Sequence, residues 1–574
     1  MEIYLKIFNL LSPKEKKKSV IITTLIFFVT IFEIFGISML IPIVSVLVNE
    51  NYIINLKNNY LAFSDLDLIT LKYIIIISFF LFIVIKNFFY YYAMKYIYFF
   101  IFKNEHHVAM GILKSYMSQN YSFFVKNNSS YLVHNITQEV WKFNDILLNC
   151  FFLATEALIA SSILLIFLYI NPIATTIVIA SLLISFFIFV SFYKKKLIYY
   201  GGQRQFHERQ RIKLVNEIFV GIKDIIIRGA ESLFLKNFNA NYNNILIPRM
   251  YQSVLRAVPK IGTEIFIVTI FSGILVFFAN KTIDLNSSLP QIVFTAACIL
   301  RLLPSTNKIF YSVQVINFGK ITVDLLTSQI NLYNNNNSIN IIEEKKIQKI
   351  LFKDKIKFKN ISFSYENKKI LEDLNFEIRK NTLTAITGKS GSGKSTLVSI
   401  LMGLIKQNNG SIYADTTEIN TDPGKVNSWR SSIGYVPQSI FVLDNTLKKN
   451  IALGFEDSEI DDKKINKAIQ NSKVSEFIND LPNGVDSRIG SAGINISSGQ
   501  LQRIGLARAL YNEPDLLILD EATSTLNIEL EKDIFKTLLD LKSKMTVVVI
   551  THRESNLSYC DDIFKIDQKK IFKI

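Results

Sequence analysis

Across residues 19–48 the chain carries a single charged side chain, Glu33. Thirty helical residues span roughly 45 Å, more than the ~30 Å hydrocarbon core of a bilayer. In lipid a backbone satisfies its own hydrogen bonds only within a helix or a closed barrel. The stretch therefore predicts a membrane helix that tilts or projects beyond the bilayer. Five more apolar stretches follow, at about 68–102, 146–170, 173–193, 254–279 and 289–318, the last broken by Arg301, Pro304 and Lys308. The chain is 574 residues long and 49% hydrophobic, and the apolar excess sits almost entirely before residue 310. A membrane-embedded half thus precedes a soluble half.

The formal net charge of +16 could serve a nucleic-acid partner, but its placement argues against one. Lys16 to Lys18 and Lys194 to Lys196 abut apolar stretches, as expected of cytoplasmic flanks. Six spans with basic flanks inside put both termini in the cytoplasm. The long connections 103–145 and 194–253 then lie on the same side, the second carrying Arg204, Arg209, Arg211 and Arg228. The outer loops are short or acidic, with Glu50, Asp65 and Asp67. The long connections look helical and are expected to continue the membrane helices into the cytoplasm. The first apolar run is too long for a cleaved signal peptide and is expected to be retained. Cys150, Cys298 and Cys560 are scattered and imply neither a disulfide framework nor a zinc site. An Asn-rich stretch at 331–340 reads as a linker. The expected division is a membrane domain over 1–330, a linker over 331–350 and an α/β domain over 351–574.

The soluble half contains Gly388-Lys389-Ser390-Gly391-Ser392-Gly393-Lys394-Ser395, between strand-like residues 383–387 and helix-like residues 396–400. Glycines let backbone N–H groups curl around phosphate oxygens, and a helix N-terminus adds partial positive charge. In this motif Lys394 reaches the β- and γ-phosphates and Ser395 the magnesium ion. About 125 residues on, Leu516-Leu517-Ile518-Leu519-Asp520-Glu521 reads as a buried strand. It delivers Asp520 to the magnesium shell and Glu521 to the attacking water. Alone, that segment is as well read as any strand ending in an acidic turn; the pairing with the first motif makes it specific.

Together these motifs resemble those of the ABC transporter ATPases. Asn495-Ile496-Ser497-Ser498-Gly499-Gln500 is similar to the family's signature sequence. Gln438 matches its Q-loop, His552 its switch histidine and Tyr365 its adenine-stacking aromatic residue. The resemblance implies an α/β P-loop ATPase fold binding ATP and Mg2+. Its ATP site would comprise Tyr365, Gly388, Ser390, Gly391, Gly393, Lys394, Ser395, Thr396 and Asp520, completed by Ser497, Gly499 and Gln500. Magnesium would be held by Ser395, Gln438 and, through water, Asp520; catalysis would fall to Glu521, His552 and Gln438. In this family the signature of one subunit closes the site of the other, so a homodimer is the expected assembly. Three positions depart from the pattern: Ile496 stands for leucine, Ser498 for glycine and Asn527 for aspartate. With Glu521 and His552 present, active hydrolysis is still expected.

The membrane half resembles the six-helix exporter type of ABC transporter. That resemblance implies short coupling helices near 121–126 and 230–235. Lys86, Lys260 and Arg301 fall within apolar spans, on the expected topology in the inner half of the bilayer. Intramembrane cations tend to face a cavity or pathway, although Lys86 and Lys260 could instead snorkel to the headgroups. Glu33, Glu156 and Glu264 could pair with them. Residues 301–309, 257–261, 32–34 and the polar stretch 49–60 are similar to bacterial lipid-linked oligosaccharide flippases of protein N-glycosylation. The implied function is ATP-driven movement of a polyprenyl-pyrophosphate-linked oligosaccharide from the cytoplasmic to the external leaflet of the bacterial plasma membrane. Its cavity would be lined by Lys86, Lys260 and Arg301. The alternative is an exporter of peptide or another lipid.

Overall fold

The computed structural model describes residues 2–48, 52–54, 67–170, 172–279, 285–335, 348–366, 368–490, 494, 496–522 and 528–574. The polar stretch 49–60 lies largely outside them, as do Asn527 and the Asn-rich run from 336 to 340. The chain forms two compact units. One comprises residues 1–119 and 127–337, the other 120–126 and 338–574.

The first unit is helical. Ser12 caps the helix Pro13–Ser38 in a reciprocal box with Glu15, their bonds measuring 3.1 and 3.2 Å, and Pro13 starts it with a preset φ. The first apolar stretch is not one helix. It breaks at Met39 and resumes as Leu40–Val48, because Pro42 has no N–H to give the carbonyl four residues back. Leu68–Met117, Pro172–Val220 and Glu231–Ala279 have 50, 49 and 49 residues. At 1.5 Å per residue each runs roughly 75 Å, far beyond a bilayer core. Among the described residues, four stretches are long and apolar enough to cross a membrane: Pro13–Val48, Leu68–Met117, Ser129–Ile170 and Ile292–Phe318. The other two expected spans fall within Pro172–Val220 and Glu231–Ala279, where many side chains lie outside the described ones. Phe80, Phe88 and Phe99 on Leu68–Met117 face outward, each more than 60% exposed, an arrangement that suits lipid as solvent.

Beyond the apolar stretches a buried polar node ties several helices. Arg204 donates to Glu208 at 2.7 Å and to both oxygens of Glu139 at 3.3 Å. Thr322 and Gln205 also donate to Glu139, and Arg249 donates to Glu208 at 2.6 Å. Glu139 ends a π-helical segment, Asn135–Glu139. His134, fully buried, stands 3.7 Å from Glu139 and 4.0 Å from Glu208. Burial alone would raise the Glu208 carboxyl; its cationic neighbours outweigh burial and hold it at about 2, against an ordinary 4.5. At 4.0 Å the imidazole is beyond hydrogen-bond reach, so Arg204 and Arg249 carry that effect. Because the folded value lies below the unfolded one, the stabilisation is present above pH 4.5 and is lost as pH falls towards 2. Thermal unfolding temperature in detergent should drop as pH falls from 4.5 towards 2, and Glu208→Gln should flatten that part of the profile.

The helix Lys320–Asn335 carries the first unit five residues past the boundary expected at 330. Of the two expected short helices, one is Tyr121–Lys126, which the contacts group with the second unit. Within that unit Lys126 lies 3.6 Å from Glu366. The other is not at 230–235 but at Ile222–Ile227. Gly229, with φ of 59°, ends the turn, and Glu231 begins the next long helix.

The second unit is α/β. Strands β1 (Lys355–Tyr365), β2 (Lys368–Arg379), β4 (Asn409–Ala414) and β5 (Thr417–Glu418) form an antiparallel sheet in the order β2-β1-β4-β5. A six-stranded sheet has the order β12-β11-β3-β10-β9-β6. Its strands are β3 (Leu383–Gly388), β6 (Ile433–Val436), β9 (Leu516–Asp520), β10 (Thr546–Ile550), β11 (Asp562–Asp567) and β12 (Lys570–Lys573). β7 (Asn445–Thr446) and β8 (Arg488–Ile489) make a small separate pair. β9 and β10 are apolar at almost every position because both their faces are covered. Leu517, Leu519, Val547 and Val549 enter one core, and Leu516, Ile518, Val548 and Ile550 the other.

Candidate functional site

The parallel register decides which residues meet. β3 pairs with β10 so that Ile386 faces Ile550; β10 pairs with β9, Ile550 facing Asp520; and β9 pairs with β6, Leu519 facing Val436. The segments following all four strands therefore emerge along one edge of the sheet, where ligands of such folds bind. That edge gathers the glycine-rich loop, Gln438, Asp520, Glu521 and His552.

The loop 389–393 leads from β3 into the helix Lys394–Leu401. Gly388 and Gly393 have φ of 147° and 106°. A Cβ on Gly388 would stand 2.5 Å from the Ile566 carbonyl oxygen, and one on Gly393 2.8 Å from Leu371. Only glycine fits either position. The Lys394 ammonium folds back onto its own loop, donating to the Gly388 carbonyl at 2.9 Å and the Lys389 carbonyl at 3.1 Å. Its burial pushes its pKa down, against the pull of Glu521 and Asp520. Ser390, Gly391 and Ser395 are exposed on the loop and first turn, with Thr396 half-buried beside them. The Ser392 hydroxyl is buried with no hydrogen-bond partner.

Glu521 follows β9 with φ of 49°, and its N–H donates to the Ile550 carbonyl at 3.2 Å. Its carboxylate is held from two sides, by His552 Nε2 at 2.7 Å and by Gln438 Nε2 at 3.1 Å. Asp520 accepts a bond from the Tyr435 hydroxyl at 3.3 Å. Burial raises its pKa, Tyr435 opposes that, and the Glu521 charge adds to it. Tyr365, at the end of β1, is 41% exposed and braced edge-on by Phe363, leaving a ring face free to stack.

Ser497 caps the helix Ser498–Tyr511, accepting from Gln500 N–H at 3.3 Å while Gln500 accepts from Ser497 N–H at 2.9 Å. Gln500 is thereby committed to the cap. Ser498 opens the helix, exposed and without a positive φ, so a serine fits there without backbone strain. Gly499 is buried. Among the described residues, no hydrogen bond or ion pair joins residues 497–500 to the 388–396 loop of the same chain.

These residues fit a nucleoside triphosphate with magnesium. The loop supplies a phosphate cradle at a helix N-terminus, with an unpartnered hydroxyl inside it. Ser395, Gln438 and Asp520 would hold the metal, which neutralises phosphate charge.

In the first unit, Lys86 and Arg301 do come together, but around an anion. The Glu33 carboxylate accepts from Lys86 at 2.6 Å and from Arg301 at 3.1 and 3.2 Å. Arg301 also donates to Ser305 at 2.7 Å and to Glu156 at 3.4 Å. Lys308, not one of the cavity cations expected from the sequence, joins them 3.3 Å from Glu156 and over the Phe152 ring. Aromatic contacts of Phe32 with Phe82 and Phe89 hold the Glu33 and Lys86 helices side by side. A cavity of about 130 Å³ is lined by Val29, Phe32, Glu33, Lys86, Asn87, Tyr90 and Arg301. Lys260 lies on Glu231–Ala279, its side chain outside the described ones.

Residues 371–524 match the ABC transporter family, and residues 20–304 the ABC transporter transmembrane region. A "Probable ABC transporter ATP-binding/permease protein" of Haemophilus influenzae is 27% identical over 56% of this chain and 56% of its own length. An "ATP-dependent lipid A-core flippase" of Desulfotalea psychrophila is 39% identical over 38% of each chain. The chain thus spans about half the length, or less, of these curated relatives. A bacterial Atm1-family ABC exporter, solved with ATP bound, superposes over 96% of this chain and 95% of its own, with a TM-score of 0.77 and 18% identity.

Proposed function

We propose that this chain, a multi-pass membrane protein that belongs to the ABC exporters with fused transmembrane and ATPase domains, couples ATP hydrolysis to moving an anionic lipid-linked molecule. The observation that carries the ATPase reading is the convergence of Gln438 and His552 on the Glu521 carboxylate, beside the Lys394 loop. Lys394 and the loop N–H groups bind the phosphates, Lys394 giving up its bonds to two carbonyls for bonds to phosphate oxygens. Glu521, oriented from both sides, accepts the proton of the attacking water, and His552 is placed to donate to the charge that develops on the γ-phosphate. Ser497 and Gly499 of a second copy complete the site; the lack of any bond from them to the loop of their own chain supports a homodimer.

The cargo is inferred to be a polyprenyl-pyrophosphate-linked oligosaccharide, flipped from the cytoplasmic to the external leaflet of a bacterial plasma membrane. Lys86 and Arg301 against Glu33 give the lining of the cavity a charge of +1, and the cavity is open enough for a phosphate. The Glu33 carboxylate makes that lining less basic than two free cations would be, which favours export of another lipid as the second reading. The test is ATP turnover in liposomes with and without undecaprenyl-pyrophosphate glycan. Each variant's stimulation is compared with its own lipid-free rate. Arg301→Ala should lose about thirtyfold or more in apparent lipid affinity, since a truncated charge partner costs about 2 kcal/mol or more. Arg301→Lys, which keeps the charge without the planar fork, should fall between. Stimulation by a different lipid or by peptide alone would overturn the cargo.

A further inference from the structure

Glu33 occupies the hydrogen-bonding groups that an anionic headgroup would use. Its two oxygens divide between the Lys86 ammonium and the Nε and Nη2 of Arg301. The three side chains are only 17 to 23% exposed, so neither cation has water enough to stand alone. A buried charge stripped of its partner costs several kcal/mol. Between transport events the two cations need an anion, and Glu33 supplies one.

Arg301 is otherwise anchored. Its Nη1 is spent on Ser305 and Glu156, and Ser305 in turn donates to Glu156 at 2.8 Å. Glu156 also holds Lys308. Glu156 thus belongs to a fixed substructure, whereas among the described residues Glu33 bonds to the two cations that line the cavity with it. The cavity, about 130 Å³, has room for a phosphate beside the two cations that Glu33 holds. A headgroup that enters must take over the Glu33 partners.

Resting on the flippase reading above, we propose that Glu33 is a built-in competitor that sets headgroup specificity: an anionic phosphate headgroup displaces its carboxylate from Lys86 and Arg301, and a zwitterionic or neutral headgroup does not. A phosphate brings more charge and more acceptor oxygens than the carboxylate it replaces, so the exchange is favourable. A net-neutral headgroup leaves the cations less well compensated than Glu33 does. Discrimination thus comes from a repulsive and competing element as much as from an attractive one. The surplus charge of +1 in the cluster draws the anion in before the exchange.

The test measures half-saturating lipid fraction for ATPase stimulation in vesicles of digalactosyldiacylglycerol, a neutral lipid without phosphate, with undecaprenyl pyrophosphate or phosphatidylethanolamine as probe and inorganic pyrophosphate as a soluble arm. Glu33→Gln is expected to lower the half-saturating fraction of undecaprenyl pyrophosphate about tenfold and to let phosphatidylethanolamine stimulate. Glu33→Asp, which keeps the anion, should stay near wild type, and adding Lys86→Gln to Glu33→Gln should cancel the gain. Competition by inorganic pyrophosphate would assign the exchange to the phosphate itself; its absence with the lipid effect intact would assign it to the membrane-anchored headgroup. Glu33→Gln that unfolds at the wild-type temperature yet binds the pyrophosphate lipid no better overturns the competitor role, and leaves the flippase reading standing. No response of either protein to any phosphate lipid overturns both.

Discussion

Glu521→Gln is expected to lower ATP turnover by about 10²- to 10⁴-fold, the range over which a positioned base contributes, while leaving nucleotide bound. The amide keeps the shape of the carboxylate and one acceptor for His552 or Gln438, so the site should stay assembled. What it loses is the ability to take a proton. Asp520, the neighbouring carboxylate, is tied to the Tyr435 hydroxyl. Phosphate release measured beside retention of labelled ATP separates the two effects. Turnover within a few-fold of wild type would place the base elsewhere and leave the paired hold on Glu521 without a purpose.

Arg204→Met is expected to destabilise the protein by about 3–5 kcal/mol, as for removal of one member of a buried charge network. Glu139 has no exposed surface and Glu208 very little, so neither carboxylate can turn to water. Arg249 would still face Glu208, but the bonds to Glu139 would shrink to Thr322 and Gln205. The double variant Arg204→Met, Glu139→Gln should be milder than Arg204→Met alone, because it removes one of the charges left behind. Thermal unfolding of the detergent-solubilised protein reads both. A single variant that unfolds at the wild-type temperature would mean that water reaches this node.

What could be read from the sequence is what is local. The loop glycines announce themselves because no other residue tolerates their φ values, and β9 because a strand covered on both faces must be apolar throughout. The meeting of Gln438, Glu521 and His552 follows once the strands are known to be parallel, since their ends then share an edge. The membrane cluster follows no such rule. Glu33 lies 53 residues from Lys86 and 268 from Arg301, and no periodicity says which helices adjoin. Pairing of the cations was an open alternative in the sequence and a fact in the structure. Lys308 was hidden for the same reason. The break at Met39 was visible in Pro42 but masked by an unbroken apolar run, and the short helix at Ile222–Ile227 was displaced by a glycine whose backbone sign is invisible in composition.

The grouping of residues 120–126 with the second unit has a consequence in time. This segment leaves the ribosome about 230 residues before Lys355 begins the first strand of that unit. At ~5–20 residues per second the interval is roughly 10 to 45 seconds. Six residues cannot hold a helix unaided, and none of those in Tyr121–Lys126 is buried even in the finished protein. During synthesis the segment must therefore wait, unformed, for a domain that does not yet exist. A chaperone or a neighbouring nascent chain that captured it in that interval would spoil assembly without touching a single residue of either active region.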